Sequence, residues 1–201
     1  MAFSAADLQQ MTRFASALLA ASIGAACTSG ERTAEGNATL HETGDDSAVV
    51  RPDGFARLIF GSDLASAERQ LGDSLRPYYT PFEDFETCDY VYSRRHRGVA
   101  FMVRRDSVGG TVRVERVDIE EPGVLTVEGL GVGAAEARVR EIYGSRVHAA
   151  SGTLSPMPDA RLLVVDGTDT TFRIVFEIES GTVSSYRAGR RPAVDMGEGC
   201  A

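Results

Sequence analysis

The stretch that comes nearest to a chemical motif is the glycine-rich run at residues 129–134, which reads Gly-Leu-Gly-Val-Gly-Ala. It approaches the Gly-x-Gly-x-x-Gly loop of dinucleotide-binding proteins, with alanine in the last glycine position. That loop holds a pyrophosphate within a parallel βαβ unit. Here the helix predicted after the run, at residues 133–144, leads into a long loop and hairpin strands. A similar helix predicted upstream, at residues 61–72, has no glycine-rich run before it. We therefore expect a turn between a strand and a helix, and no cofactor.

The patterns of hydrolases and metal enzymes are missing as well. The sequence has no Gly-x-Ser-x-Gly elbow and no His-Glu-x-x-His pair. All 21 residues counted as Lys and Arg are arginine, which excludes mechanisms with an obligatory lysine, such as Schiff-base chemistry. The carboxylates of Glu83, Asp84 and Glu86 lack the spacing of a calcium loop, although two of them could form an acid/base pair. His96 lies in the basic run 94–97, which is either a solvated turn or a contact for an anion or an acidic partner.

The charge balance argues against nucleic acid as a general partner. The chain has 201 residues, of which 43% are hydrophobic and 25% charged, as in an ordinary folded protein. Its formal net charge is -8, whereas binding to phosphates needs a basic surface.

The N-terminal region predicts export from the cytoplasm. Arg13 precedes the apolar run 14–23, and small residues follow up to Ala26 and Cys27. A basic start, a short apolar run and small residues before a cleavage point are the requirements of a signal peptide. We expect the signal at residues 1–26, with cleavage after Ala26 and with Met11 as the true start, because residues 1–10 carry an acid and no base.

The cysteine after the small residues resembles the lipobox of bacterial lipoproteins. The resemblance implies that Cys27 is lipidated and becomes the mature N-terminus. Thr28 follows it, which resembles the pattern sorted to the outer membrane, facing the periplasm. Residues 27–53 are polar and rich in turn formers, so we expect a flexible, lipidated tether there. Secretion without a lipid and a cytoplasmic location are the alternatives.

Cys88 and Cys200 then remain as an even pair in an oxidising compartment. We expect a disulfide between them, and a reactive thiol at one of them is the alternative.

The elements that would position these residues follow a duplicated frame. Residues 61–72 and 133–144 each read glycine, ten residues, glycine, and they predict two short helices; Asp63 can cap the first and Gly72 can end it. Alternating apolar residues predict antiparallel strands after each helix, with a bulge near Glu115 and Arg116. Residues 73–87 and 145–160 are predicted loops. The fold class is α+β, with tandem repeats at 54–122 and 123–201, each a short helix on a sheet of three or four strands.

This frame, on a small lipidated envelope protein, resembles the barrel-assembly small lipoproteins of the outer membrane. Its doubling resembles the beta-lactamase inhibitor protein family, in which two helix-plus-sheet repeats form a concave sheet that grips an enzyme. The resemblance implies non-enzymatic binding of a protein partner in the cell envelope.

Strand alternation indicates which sheet residues would face that partner. We expect Val91, Phe101, Val164, Phe172, Ile174 and Phe176 to face the helices. An apolar, tyrosine-rich patch with an arginine border would lie on the other face, and such patches suit protein interfaces. Its expected members are Tyr90, Tyr92, Met102, Arg104, Leu163, Val165, Arg173 and Val175. Alternatively the tether, the aromatic loop at 78–85 or a second subunit covers this face, and the competing functions are an envelope hydrolase and a structural envelope component.

Overall fold

The computed structural model describes residues 48–77, 86–152 and 156–200. The lipidation site Cys27, the cleavage site Ala26 and the loop at 78–85 lie outside the described residues. The fold is mixed α+β and consists mostly of sheet, with two short helices. The strands are β1 (Val49–Arg51), β2 (Gly54–Phe55), β3 (Leu58–Ile59), β4 (Leu75–Pro77), β5 (Cys88–Ser93), β6 (Val99–Arg104), β7 (Arg113–Ile119), β8 (Leu125–Thr126), β9 (Val147–Ala150), β10 (Arg161–Asp166), β11 (Phe172–Glu179) and β12 (Thr182–Arg190).

Helix α1 (Leu64–Leu71) begins and ends where its local sequence predicts. It starts at Asp63, whose carboxylate accepts a hydrogen bond from the Ser66 amide at 2.9 Å. It ends at Gly72, whose φ of 62° is in the left-handed region that glycine adopts readily. Helix α2 (Glu136–Tyr143) starts at Ala135, which has no side chain that can cap it.

The strands form two sheets. The larger has eight strands in the order β4-β5-β6-β7-β12-β11-β10-β9, and every neighbouring pair in it is antiparallel. The smaller has the order β3-β2-β1-β8, with β8 parallel to β1. The pairing of β7 with β12 makes the larger sheet continuous across the two halves of the chain.

One hydrophobic core lies on one face of the large sheet. The inner sides of the helices contribute Ala67, Leu71, Val139 and Tyr143 to it, and the small sheet contributes Val50, Phe55 and Leu58. The large sheet supplies alternate residues such as Val91, Phe101, Ile174 and Phe176, all fully buried. The opposite face of this sheet, the second face, does not pack against this core and is therefore where a functional site can lie.

The two helices are tied to the large sheet by equivalent hydrogen bonds. The amides of Gly61 and Gly133 donate to the carbonyls of Val114 and Val183, at 2.7 and 2.8 Å. The amides that open the helices, Leu64 and Glu136, donate to residues 112 and 181 in the same way, at 3.0 and 2.9 Å. Each helix start is thus bonded to the beginning of a strand in the middle of the sheet.

The structure corrects the predicted tether and the predicted loop at 145–160, and it confirms the predicted bulge. The tether predicted to reach residue 53 ends earlier, because Val49–Arg51 forms β1 and Val50 is fully buried. The predicted loop at 145–160 contains β9, an edge strand that pairs with β10. The predicted bulge is present at Glu115, where the register of β6 against β7 shifts so that Met102 opposes Arg116 and Val103 opposes Val114.

Candidate functional site

The second face of the large sheet carries charge in its middle. Residues that oppose each other on neighbouring strands share a face. One such row crosses the sheet as Tyr92, Ala100, Asp118, Arg187, Val175, Val164 and His148. The next row reads Tyr90, Met102, Arg116, Gly189, Arg173 and Asp166. The centre of this face is therefore built from two arginines and a carboxylate on β7 and β12.

The C-terminal strap, residues 191–200, crosses this face. It contains a 3-10 turn at Ala193–Asp195, and it ends in the disulfide between Cys200 and Cys88, with a sulfur–sulfur distance of 2.06 Å. This is the cysteine pair expected from the sequence. The strap buries Val194 completely, in a small second cluster with Leu162, Val164 and Val175. Part of the predicted open face is thus covered by the C-terminal strap.

Arg116 holds the strap and the central carboxylate together. Its guanidinium donates to both carboxylate oxygens of Asp118, at 2.8 and 3.0 Å. It also donates to the main-chain carbonyls of Ala193 and Met196, at 2.9 and 2.6 Å, and to the Tyr90 hydroxyl at 2.6 Å. Gly189 lies opposite Arg116, and a Cβ there would stand 2.7 Å from the Arg116 Cβ. The glycine is needed because a Cβ there would also stand 2.6 Å from the Glu115 carbonyl oxygen and 2.8 Å from the Arg116 Cα.

Arg187 and Arg173 hold the strap from the other side. Arg187 donates to the Val194 carbonyl at 2.8 Å and to the Glu177 carboxylate at 2.7 Å. Arg173 binds Asp195 of the strap at 2.9 Å. Charge-assisted bonds of this kind are stronger than neutral ones, and here they are largely shielded from water.

A pocket of about 590 Å³ opens beside the strap. Its walls are the outer faces of β5, β6, β7, β11 and β12, the turn after β7 and the strap itself. Five carboxylate side chains line it, and the two lining arginines are those that bind the strap carbonyls. The lining includes Tyr90, Tyr92, Asp118, Glu120, Glu121, Glu177, Glu198 and Gly199.

Burial affects two titrating groups in this site. Removal from water raises the pKa of Asp118, and the adjacent Arg116 opposes that effect only in part. Burial likewise raises the pKa of the Tyr90 hydroxyl to about 12, so this phenol stays protonated at neutral pH. The pocket therefore presents hydroxyl groups and carboxylates, with the phenol of Tyr90 fixed by Arg116.

The structure places two of the predicted interface residues at this pocket. Tyr92 is 38% exposed, and Tyr90 is partly buried against Arg116. Arg104 lies on the same face at the end of β6, opposite Cys88.

The other predicted interface residues are not open to a partner. The predicted orientation of Leu163 and Val165 is wrong, because both lie in the main core, opposite Phe176 and Ile174. Val164, which was expected to face the helices, lies on the second face instead. The reason is that residues 162–165 are all apolar, so alternation gives no phase for this strand.

Three more members of that patch lie on the predicted face but are covered. Met102 is fully buried, and Val175 is 2% exposed beneath the strap. Arg173 is occupied by Asp195 and Asp166, at 2.9 and 2.8 Å.

The charged centre of the site was not predicted. Arg116 and Asp118 lie within β7 and Arg187 lies within β12, and the apolar residues of these strands drew the sequence prediction. The spacing of Arg116 and Asp118, two residues apart, was a usable signal, because it places a buried ion pair on one strand face.

Comparison of the chain with protein-family models, with curated proteins and with solved structures gives no match. Among the described residues, neither helix is long and apolar enough to span a membrane. In the same ranges, no group of three or more His, Cys, Asp or Glu side chains could hold a metal ion.

Proposed function

We propose that this protein is a non-enzymatic, lipid-anchored protein of the bacterial cell envelope that binds a protein partner on the second face of its large sheet. The observation that carries the proposal is the pocket of about 590 Å³ beside the strap on the second face of the large sheet. A concavity with exposed tyrosine and a charged border suits a partner's projecting side chain.

The charges indicate what such a partner presents. The carboxylates of Glu120, Glu121 and Glu198 line the pocket together with Glu177 and Asp118. The arginines of the lining are engaged with the strap and with Asp118 and Glu177, so they do not balance the remaining acids. A basic contact on the partner complements this surface.

Substitutions in the pocket test the binding site. We expect Tyr92→Ala, and separately Glu120→Arg combined with Glu121→Arg, to reduce recovery of a partner from envelope extract at least tenfold. Val108→Ala is the matched control, because Val108 is 77% exposed but lies outside the pocket lining. Equal recovery by the pocket variants and the control would exclude this site as the binding surface.

The lipid anchor is tested separately. Cys27→Ala should release the protein from membranes, since the proposed acceptor of the lipid is lost. Globomycin-sensitive processing that continues in this variant would contradict lipidation at Cys27.

We also infer that the fold arose from two tandem helix-plus-sheet repeats, as in the inhibitor family named above. The inference is supported by the equivalent hydrogen bonds of Gly61 and Gly133 and by the mirrored strand order of the large sheet. In this interpretation β4–β7 and β9–β12 are equivalent sets joined side by side.

A further inference from the structure

The strap is held to the sheet in two different ways along its length. Residues 193–196 are fixed by buried contacts: Arg116 binds the carbonyls at both ends of this stretch, and Val194 is fully buried between them. The amides of Asp195 and Met196 are also bonded within the 3-10 turn, at 3.0 and 3.3 Å. These bonds are made on the second face of the large sheet, and none of them involves Cys200.

Residues 197–200 continue from this anchored stretch along the pocket. Gly197, Glu198 and Gly199 line the pocket, and Cys200 then bonds to Cys88 at the start of β5. Two of these residues are glycine, which has the largest conformational freedom to lose on ordering. A covalent bond at the far end removes that freedom, so the disulfide is well placed to keep this wall of the pocket closed.

Gly199 shows how closely the wall approaches Tyr90. A Cβ at Gly199 would stand 2.7 Å from the Tyr90 hydroxyl oxygen, a distance that packed atoms do not tolerate. The strap therefore covers one side of the Tyr90 ring, and Arg116 holds the hydroxyl on another. The accessibility of the Tyr90 phenol is a direct measure of whether this wall is in place.

We propose that residues 197–200 form a redox-releasable wall of the pocket, opened when the disulfide between Cys88 and Cys200 is reduced while residues 193–196 stay bound to the sheet. Both cysteines are partly exposed, as attack by an external thiolate requires. A dithiol of the Cys-x-x-Cys class supplies the two electrons and two protons. Its thiolate attacks one sulfur to form a mixed disulfide, its second thiol resolves that bond, and the dithiol leaves as a disulfide while both protein cysteines become thiols.

The opening changes the pocket in a defined way. Once the disulfide is reduced, residues 197–200 move away from the pocket. The pocket then lacks the Glu198 carboxylate, and the Tyr90 phenol becomes accessible to solvent. The consequence for a bound partner rests on the proposed function, whereas the opening itself does not require a partner.

Chemical modification of tyrosine tests the opening on the full-length protein. The oxidised protein is compared with protein that has been reduced with dithiothreitol and alkylated at its thiols, and both are treated with N-acetylimidazole, which acetylates accessible phenols. Acetylation of each tyrosine is then quantified by peptide mass spectrometry. Tyr92, which is 38% exposed, is the internal accessible standard, and Tyr186 and Tyr143, at 1% and 3%, are the buried standards.

We expect acetylation of Tyr90 to rise at least fivefold on reduction, with Tyr143 and Tyr186 unchanged. The double variant Cys88→Ser with Cys200→Ser should react like the reduced protein whether or not dithiothreitol is added. Unchanged acetylation of Tyr90 would overturn the proposal. Increased acetylation of Tyr90, Tyr143 and Tyr186 together would overturn it too, because reduction would then unfold the domain and not open one wall.

Limited proteolysis separates release of residues 197–200 from release of the whole strap. A glutamyl endopeptidase should cut after Glu198 faster in the reduced and alkylated protein, while trypsin should cut after Arg190 at an unchanged rate. Equal acceleration at both sites would refute the division of the strap at Met196. Unchanged acetylation of Tyr90 overturns the proposed wall whether or not partner recovery changes, whereas equal partner recovery by the pocket variants and their control overturns the binding site alone, so the two proposals fail separately.

Discussion

Replacement of Arg116 by alanine is the most informative single perturbation of this fold. The Arg116 side chain is 3% exposed and donates to Asp118, to two strap carbonyls and to Tyr90. Its removal leaves the Asp118 carboxylate with one fewer cation in a largely dry site. Loss of one partner of a buried ion pair costs about 3–5 kcal/mol in the free energy of unfolding. With a slope of about 2 kcal/mol per molar, this lowers the urea midpoint by about 2 M.

The pH dependence of that loss gives a second, independent check. Burial already raises the pKa of Asp118 in the folded protein, and loss of Arg116 removes the interaction that opposes the rise. An acid with a raised folded-state pKa favours folding when it is protonated, and this contribution is lost as the pH rises through that pKa. The destabilisation by Arg116→Ala should therefore be larger at pH 7 than at pH 5, and adding Asp118→Asn should restore part of the stability at pH 7.

Urea unfolding followed by circular dichroism measures both effects. Arg138→Ala is the control, because Arg138 forms an ion pair with Glu141 at 2.8 Å but both side chains are more than half exposed. Exposed pairs contribute little, so this variant should match the parent protein. A loss below about 1 kcal/mol for Arg116→Ala, or a loss that is equal at pH 5 and pH 7, would refute the view that Arg116 balances a buried charge.

Three further predictions concern stability and the strap. Ala135→Asp should stabilise the protein by about 0.5–1 kcal/mol in urea unfolding, because Ala135 has the extended conformation of a helix N-cap and no capping side chain; no gain would argue against this capping position. Gly199→Ala should increase acetylation of Tyr90, because the new methyl group would collide with the Tyr90 hydroxyl. Gly109→Ala is the control, since Gly109 has a similar positive φ but no atom within 4 Å of a new Cβ, and it should leave acetylation of Tyr90 unchanged. Equal effects of the two variants would indicate general backbone strain. Reduction of the disulfide, whose cysteines are 112 residues apart, should cost about 4–5 kcal/mol in the same unfolding assay, and an unchanged midpoint would contradict its structural role.

Local chemistry explains which parts of the fold could be predicted. Helix α1 was predicted correctly because Asp63 caps it and Gly72 ends it within a span of ten residues. Strand β11 alternates clearly, so the orientation of Ile174 and Phe176 was also correct. In β10 every residue from 162 to 165 is apolar, and its phase is set only by its neighbours in the sheet.

The candidate site was less predictable, because it depends on residues distant in the chain. The strap has no periodic pattern, and its position is fixed by Arg116, which precedes its carbonyl partners by 77 and 80 residues. The disulfide pair could be inferred from the cysteine count together with the expected export and lipidation of Cys27, but the pocket beside it could not. Its walls come from five strands, a turn and the strap, and only the folded sheet brings them together.

The place of β12 in the large sheet constrains how the chain can reach its native state. This strand is the last one in the sequence, yet it lies at the centre, between β7 and β11. The eight-stranded sheet therefore cannot be completed until β12, which ends at residue 190, is available to pair with β7 and β11. Pairings over such a long sequence distance form slowly, since a large loop must close first.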